Sequence, residues 1–534
     1  VQTSKIDNNR LGRTAAFAFA AACATIANAS YQTYQIIDLG TLSGGTYCKA
    51  YGVNNLGNVV GIADNSAGRA RGFYWSNGVF QTIAPDASGD VGAGQMALDS
   101  RALALNDSNQ VVGYRDHWYA SAGYNVDRAF RWTVGGTIHN IANFANAYPF
   151  ESVATGINNL GTVVGYANGQ GGWPNGSQIP QAFRWTQAGG TQYMGSLTGS
   201  SSSQCYGQDI NSQANICGYG QNAQNNYRSF RSNGANLIDM GGFPNPLIFE
   251  PPLESFGQAI NDNNTVAGYY KLSSSRFNAF VKTANGAYED LGLLPGSNVL
   301  DDSAQAYGIN GTGEVVGSCE VGNANHRAFI YESVGGNWQM SDLNSRIPAG
   351  SGWVLEHAMD ISNTGYIVGY GKKNGQVRAF LLKPSIAVSG QITLQDFDAN
   401  PSGYWASIEV RDSANGQLLE TQWLTLGPNG SYSFTTNKVG NRYLVAKVWH
   451  WLSKKTGTMN LTNNWSGVNF SLKNGDVDTD NEVSIMDYGI FSSAFGSSPG
   501  SGNWVASADL NGDLGVDIGD YAILSMNFGL LGDE

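Results

Sequence analysis

"INNLGTVVGY", residues 157–166, occurs in this chain seven times with small changes. The other copies are "VNNLGNVVGI" from Val53, "LNDSNQVVGY" from Leu105, "INSQANICGY" from Ile210, "INDNNTVAGY" from Ile260, "INGTGEVVGS" from Ile309 and "ISNTGYIVGY" from Ile361. Their last glycines are Gly61, Gly113, Gly165, Gly218, Gly268, Gly317 and Gly369, at intervals of 52, 52, 53, 50, 49 and 52 residues. Each copy holds two apolar-rich strand-like pieces around a four-residue turn that starts at Asn in six copies and at Ser362 in the seventh. Asn suits the first position of such a turn, and the fourth often needs φ > 0. The fourth residue is Gly57, Asn109, Gly161, Ala214, Asn264, Gly313 or Gly365. Gly and Asn tolerate the left-handed region, so Ala214 is the misfit.

A third strand follows in every copy, marked by a small residue and then Phe, as in "GFYW" at Gly72 and "AFRW" at Ala129 and Ala182. The pair reads as a core knob against a close-packed neighbouring sheet. Arg precedes it at Arg71, Arg128, Arg228, Arg327 and Arg378, a recurrence that suits bonding of backbone carbonyls between repeats better than a ligand site. A fourth strand leads out, for example "GTIHNI" at 136–141. The seventh copy lacks it, but an orphan of that type, "YQIIDLGTL" at 34–42, precedes the first. A period near fifty with four strands per unit is the signature of propeller blades. The expectation is a seven-bladed β-propeller over 30–384, closed by the N-terminal strand so that no sheet edge is left open. "DLGTLSGG", "INNLGTVVGY" and "RAFRW" resemble the HAF repeats of extracellular bacterial proteins, over about residues 34–384. The resemblance implies export more than any activity.

The bulk composition agrees with a mainly β chain: 70 glycines in 534 residues and only 13% charged side chains. A net charge of −12 excludes a basic nucleic-acid footprint. Arg10 and Arg13 precede the short apolar run "TAAFAFAAACATIA", and "ANA" at 27–29 is a small-residue cleavage site. Residues 1–29 therefore read as a signal peptide, and the protein as secreted, with no transmembrane segment after its removal. Cys48, Cys205, Cys217 and Cys319 form no CxxC pair, so zinc is not expected. Export permits oxidation, and a bridge between Cys205 and Cys217 stays open. The five His lack metal-like spacing, and no GxSxG or Asp-box motif occurs. A non-enzymatic propeller is the first reading. Its loops at 115–125, 167–178 and 241–256 carry aromatic and amide residues that suit a polysaccharide or protein ligand. The alternative is a carbohydrate-binding or carbohydrate-active propeller.

After Pro384 the pattern becomes five apolar or alternating strands, with turns at Asn415-Gly416 and Asn429-Gly430. This reads as a β-sandwich over 385–474 and resembles carboxypeptidase-regulatory-like or transthyretin-like domains. The cluster Trp449, His450 and Trp451 reads as core or interface.

The last segment, 475–534, holds the sharpest chemistry. "DVDTDNEVSIMD" (476–487) and "DLNGDLGVDIGD" (509–520) are 33 residues apart, each followed by a helix-like run. A hard cation such as Ca²⁺ wants six to eight oxygens, supplied from loop positions 1, 3, 5, 7, 9 and 12. The first loop offers Asp476, Asp478, Asp480, the Glu482 carbonyl, Ser484 and Asp487. The second offers Asp509, Asn511, Asp513, the Gly515 carbonyl, Asp517 and Asp520. Two calcium ions are expected. The pair resembles a type I dockerin, a small α-helical calcium module in which each loop precedes a helix and position 12 is Asp. At position 6, where that pattern has Gly, stand Asn481 and Leu514, and the latter is strained there. Dockerins bind cohesin modules, which implies attachment to a cohesin-like or cell-surface protein. The matching partner positions are Ile485, Met486, Ser492, Ser493, Ile518, Gly519, Ser525 and Met526. The apolar ones suit either a partner or the adjacent sandwich.

Overall fold

The computed structural model describes residues 32–83, 99–119, 124–141, 151–168, 179–200, 202–234, 236–244, 252–322, 325–334, 336–438, 440–461 and 464–533. The expected signal segment 1–29 lies outside them, as does much of the three inter-repeat loops.

Each of the first six repeats folds into one antiparallel sheet of four consecutive strands, within residues 48–83, 100–140, 152–195, 205–239, 255–290 and 304–342. The seventh repeat contributes Trp353–Ile361, Ile367–Lys373 and Gln376–Leu394. Its fourth strand is Thr33–Asp38, antiparallel to residues 380–385 with Tyr34 opposite Pro384 and Asp38 opposite Phe380. The fold is thus mainly β, with several four-stranded sheets consistent with propeller-like blades.

The motif glycine has a steric purpose. Gly61, Gly113, Gly165, Gly218, Gly268, Gly317 and Gly369 each sit across the ladder from the Phe of the third strand. All seven Phe side chains are fully buried. A methyl at Gly165 would strike the Val153 carbonyl oxygen and lie 2.9 Å from the Phe183 ring. The same holds at Gly317 against Gln305 and Phe329. The glycine leaves room for the outer edge of the ring against the backbone. A β-bulge in the first strand pair recurs in every repeat, skipping Tyr51, Leu103, Thr155, Gln208, Gln258 and Tyr307 in the first six. Bulges of this kind raise the local twist.

All seven fourth-position turn residues have positive φ, from 55° at Asn109 to 93° at Gly313. Ala214 does too, at 62°. The turn geometry is set by the repeat and overrides the preference of its one alanine. The turn asparagines do more than start turns. Asn54 Oδ1 accepts from Leu56 N and Asn58 N, while its amide donates to the Asn106 carbonyl of the next sheet at 3.1 Å. Asn106, Asn158, Asn211 and Asn261 donate in the same way to Asn158, Asn211, Asn261 and Asn310. The last sheet returns to the first through Thr364 Oγ1 to the Asn55 carbonyl and Val53 N to Asp360. The repeated arginines also reach neighbours: Arg228 donates to the Pro252 carbonyl and Arg378 to the Thr46 carbonyl.

The strand Gln376–Leu394 does not stop at Pro384. It runs on to pair with Ser431–Thr436 and Phe470–Leu472. A second sheet, in the order Leu418–Thr425, Trp405–Asp412, Gly440–Val448, Trp451–Lys455, packs against it. Ile386, Val388, Ile408, Leu444, Trp451 and Leu472 are buried between them. The expectation that Trp451 and His450 are interior is met, at 0% and 1% exposure, whereas Trp449 is 43% exposed. Two helices follow, α1 (Ile485–Ala494) and α2 (Ile518–Asn527). Cys48, Cys205, Cys217 and Cys319 are buried free thiols. Cys205 pairs with Gly220 and Cys217 with Asp209 across the same ladder, so the two sulfurs are out of register for a bridge.

Candidate metal centre and partner face

Each acidic loop is wound by its own backbone amides. In the first, Asp476 Oδ2 accepts from Asn481 N, Asp478 Oδ1 from Asp480 N, and Asp480 Oδ1 from Glu482 N. Asp487 reaches back from the helix, taking Asp478 N at 3.0 Å and Ser484 N at 2.7 Å. The second loop repeats this. Asp509 Oδ2 accepts from Leu514 N, Asn511 Oδ1 from Asp513 N, and Asp520 from Leu510 N, Asn511 N and Asp517 N. Position 9 caps the helix in both: Ser484 accepts from Met486 N and Asp517 from Gly519 N. Position 12 closes both capping boxes.

The donor chemistry fits a hard cation. Carboxylate oxygens of Asp476, Asp478 and Asp487 lie within 4.8 Å of one another. Asp476 and Asp487 are wholly buried, and Asp476 Oδ1 has no hydrogen-bond partner. A buried acceptor oxygen without a donor is costly, and a cation bonded there removes the cost. In the second loop Asn511 replaces one carboxylate, and Asp509 and Asp520 are the buried members. Burial pushes the carboxyls of Asp476, Asp478, Asp509 and Asp520 above their usual range. A cation would compete with protons for these oxygens, so its binding would strengthen as pH rises. Position 6 is left-handed in both loops, φ 74° at Asn481 and 70° at Leu514. Leu514 is 65% exposed, so no packing compensates its strain.

The two halves interlock. Val483 of the first loop exchanges hydrogen bonds with the chain after α2, at Gly529 and Leu530, and Val516 of the second with the chain after α1, at Gly496 and Ser497. Val477, Val483, Phe491, Leu510, Val516 and Leu524 form the shared core, and Leu452 of the sandwich enters it. The loops face the sandwich. Lys447 donates to Asp476, Ser453 N to Asn481, Asn474 to the Leu510 carbonyl at 2.7 Å, and Asp398 N to the Asn511 carbonyl. The helix starts are exposed, Ile485 at 66%, Met486 at 64% and Ile518 at 69%, as is Met526 near the end of α2 at 72%. Ser492, Ser493 and Ser525 are exposed and Gly519 half-buried. The packing on the sandwich that the apolar pairs left open is thus made by the loops and Leu452 instead. Sequence reasoning missed Lys447, Ser453 and Leu452. Their only signal was the run of strand residues ahead of the first loop.

On the repeat region, the turns of all seven repeats surround a cavity of about 190 Å³ lined by the amides. Deeper in, Asp209 and Asp360 have pKa values pushed up by burial to about 6 and about 7. Each accepts two backbone N–H groups, Asp209 from Ile210 and Ile260, Asp360 from Ile361 and Val53. Both carboxylates are tied to holding one sheet against the next.

Two family models match parts of the chain. One, described as "Protein of unknown function (DUF3466)", matches residues 251–404, from the fifth repeat into the sandwich. The other, "Dockerin type I domain", matches residues 474–528. Type I dockerins bind calcium, which agrees with the donor set. No curated protein matches the chain. Among solved structures, a mutant type II cohesin–X–dockerin complex from Acetivibrio cellulolyticus is similar over 28% of this chain and 97% of that chain, at 16% identity and TM-score 0.24. The β-propeller domain of the Trilobed protease from Pyrococcus furiosus, with open velcro topology, is similar over 63% and 93%, at 10% identity and TM-score 0.37. AofleA from Arthrobotrys oligospora is similar over 59% and 90%, at 12% identity and TM-score 0.31. Among the described residues no helix is long and apolar enough to cross a membrane.

Proposed function

We propose that this is an exported, non-catalytic attachment protein. A seven-bladed propeller with the HAF-type repeat displays an interaction surface. The transthyretin-like sandwich holds it rigidly to a C-terminal dockerin-type module that carries two calcium ions and docks on a cohesin-type partner outside the cell. The ligands are Asp476, Asp478, Asp480, the Glu482 carbonyl, Ser484 and Asp487 in one loop, and Asp509, Asn511, Asp513, the Gly515 carbonyl, Asp517 and Asp520 in the other. The partner face is built from Ile485, Met486, Ser492, Ser493, Ile518, Gly519, Ser525 and Met526.

The observation that carries this reading is the division of labour in the module. Both loops are spent on the sandwich, while the apolar starts of both helices stay exposed. Large exposed apolar groups clustered beside polar ones mark an interaction surface. The test is calorimetric titration of the full chain against a panel of purified type I and type II cohesins, with CaCl₂ or with EDTA. Binding to at least one cohesin that EDTA abolishes and Met486→Asp weakens is the expected result. Binding to none of them would remove the reading, and a calcium stoichiometry other than two would correct the ligand set.

A further inference from the structure

The outer face of the second sandwich sheet bears a row of indoles that its core does not need. On the strand Trp405–Asp412, Ala406, Ile408 and Val410 point into the core, so Trp405, Ser407, Glu409 and Arg411 point outward. Ser407 lies opposite Trp423 on one neighbouring strand and Lys447 on the other. Ala406 lies opposite Val448, which brings Trp449 beside Trp405. Trp405 is 64%, Trp423 70% and Trp449 43% exposed. Trp423 and Trp405 thus lie on adjacent strands and Trp449 just past the end of the next, with the strands about 4.8 Å apart.

The three indoles line an open trough of about 650 Å³ to which Thr479 of the first acidic loop also contributes. The trough continues, through Ser407 and Lys447, into a second hollow of about 410 Å³ edged by Glu409, Arg411 and Asp533. The lining is aromatic in the first hollow and polar in the second.

The geometry points to an extended polysaccharide chain as the ligand of this trough. A pyranose with mostly equatorial hydroxyls has a flat C–H face that stacks on an indole and an edge of hydroxyls that needs hydrogen bonds. The trough supplies both. Its flat apolar groups are aromatic, and Ser402, Ser407, Thr479 and Lys447 stand between and opposite them. No aliphatic side chain of Leu, Ile, Val or Met lines the indole end. Its cations are already paired, Lys447 with Asp476 and Arg411 with Glu409, so an anionic chain has no special claim. The strand spacing matches the advance of one sugar unit, so successive rings of a β-linked chain can meet successive strands. The site is separate from the helix face assigned to the protein partner and does not depend on it.

The test uses the full chain in CaCl₂ with cellohexaose, xylohexaose, mannohexaose and chitohexaose as probes, followed by calorimetry and by tryptophan fluorescence. At least one hexasaccharide is expected to bind and to shift the emission. Trp423→Ala is expected to weaken binding about tenfold, the loss of one stacking contact, and Trp405→Ala/Trp423→Ala to abolish it. Both side chains are exposed, so the thermal unfolding of the variants should match the parent. No response to any of the four probes overturns the proposal. So does binding that survives in the double variant. Self-association of the parent that the double variant abolishes, without a hexasaccharide response, would make the face a protein interface and also overturn it.

Discussion

Removing the Tyr34 side chain should unlatch the closure of the repeats. Tyr34 lies on the N-terminal strand, is 4% exposed, and packs with Trp353, Leu355, Phe380 and Leu382 of the last sheet and with Val316 and Ile330 of the sixth. Leu39, just past the strand, is 5% exposed and packs the other way, with Cys48, Ala50 and Phe73 of the first sheet. The strand is held by both neighbours, so its loss opens two contacts at once. Truncating a buried aromatic to Ala costs about 3–5 kcal/mol, the lost transfer energy plus the cavity. Tyr34→Ala should lower stability by about that amount. Thr33→Ala, whose side chain is exposed, should stay within about 0.5 kcal/mol of the parent. Urea denaturation followed by tryptophan emission and by far-UV circular dichroism measures both. If Tyr34→Ala unfolds at the parent's urea midpoint, the N-terminal strand is not part of the core and the closure argument fails.

Gly165→Ala should cost about 1–3 kcal/mol as an overpacked core position, read as a fall in melting temperature. Gly161→Val should cost at least ~1 kcal/mol for a β-branched residue at positive φ, whereas Ala214→Gly should be neutral or stabilising; equal responses would refute the turn reading. Ca²⁺ at a hundredfold excess over Kd should stabilise the C-terminal module by roughly 2.7 kcal/mol, visible as a calorimetric transition that EDTA lowers. Leu514→Gly should raise calcium affinity at the second loop by relieving left-handed strain, and an unchanged titration would speak against that strain. The burial-raised carboxyls of Asp209 and Asp360 predict a pH dependence. Their folded pKa values, about 6 and about 7, exceed the unfolded one, so the folded state binds the extra protons. Their stabilisation is full below about pH 4, and it declines as pH rises through those two values. Denaturation between pH 4 and 8 should show this slope, and Asp360→Asn should flatten it.

Much of the repeat region was legible because its constraints are local. The spacing of "INNLGTVVGY" gives two strands and a turn, and the left-handed fourth position follows from four residues. The orphan strand at Thr33–Asp38 was found by counting outer strands. The acidic loops were legible because ligand spacing is short-range. What stayed hidden depends on partners far apart in the chain. The amide of Asn54 reaches Asn106, 52 residues on, and a turn-former and an inter-sheet donor look alike in sequence. The loops of the C-terminal module meet Lys447 and Ser453 of another sheet, a contact no spacing encodes. Trp405, Trp423 and Trp449 come together only through strand order, since the strand holding Trp423 pairs with the one holding Trp405, which in turn pairs with the one ending before Trp449.

The unbroken strand Gln376–Leu394 has a mechanical consequence. In the attachment role proposed above, the chain is pulled on from its C-terminal end. Load entering through the C-terminal module passes into the sandwich and along this one strand into the last sheet, with no hinge between. There residues 380–385 are paired side by side with Thr33–Asp38, so tension along the strand shears six residue pairs together and does not peel them one by one. The seam between the N-terminal strand and the last repeat is thus loaded in shear, and the proline at 384, opposite Tyr34, lies where the strand passes from the last sheet to its pairing with Ser431–Thr436.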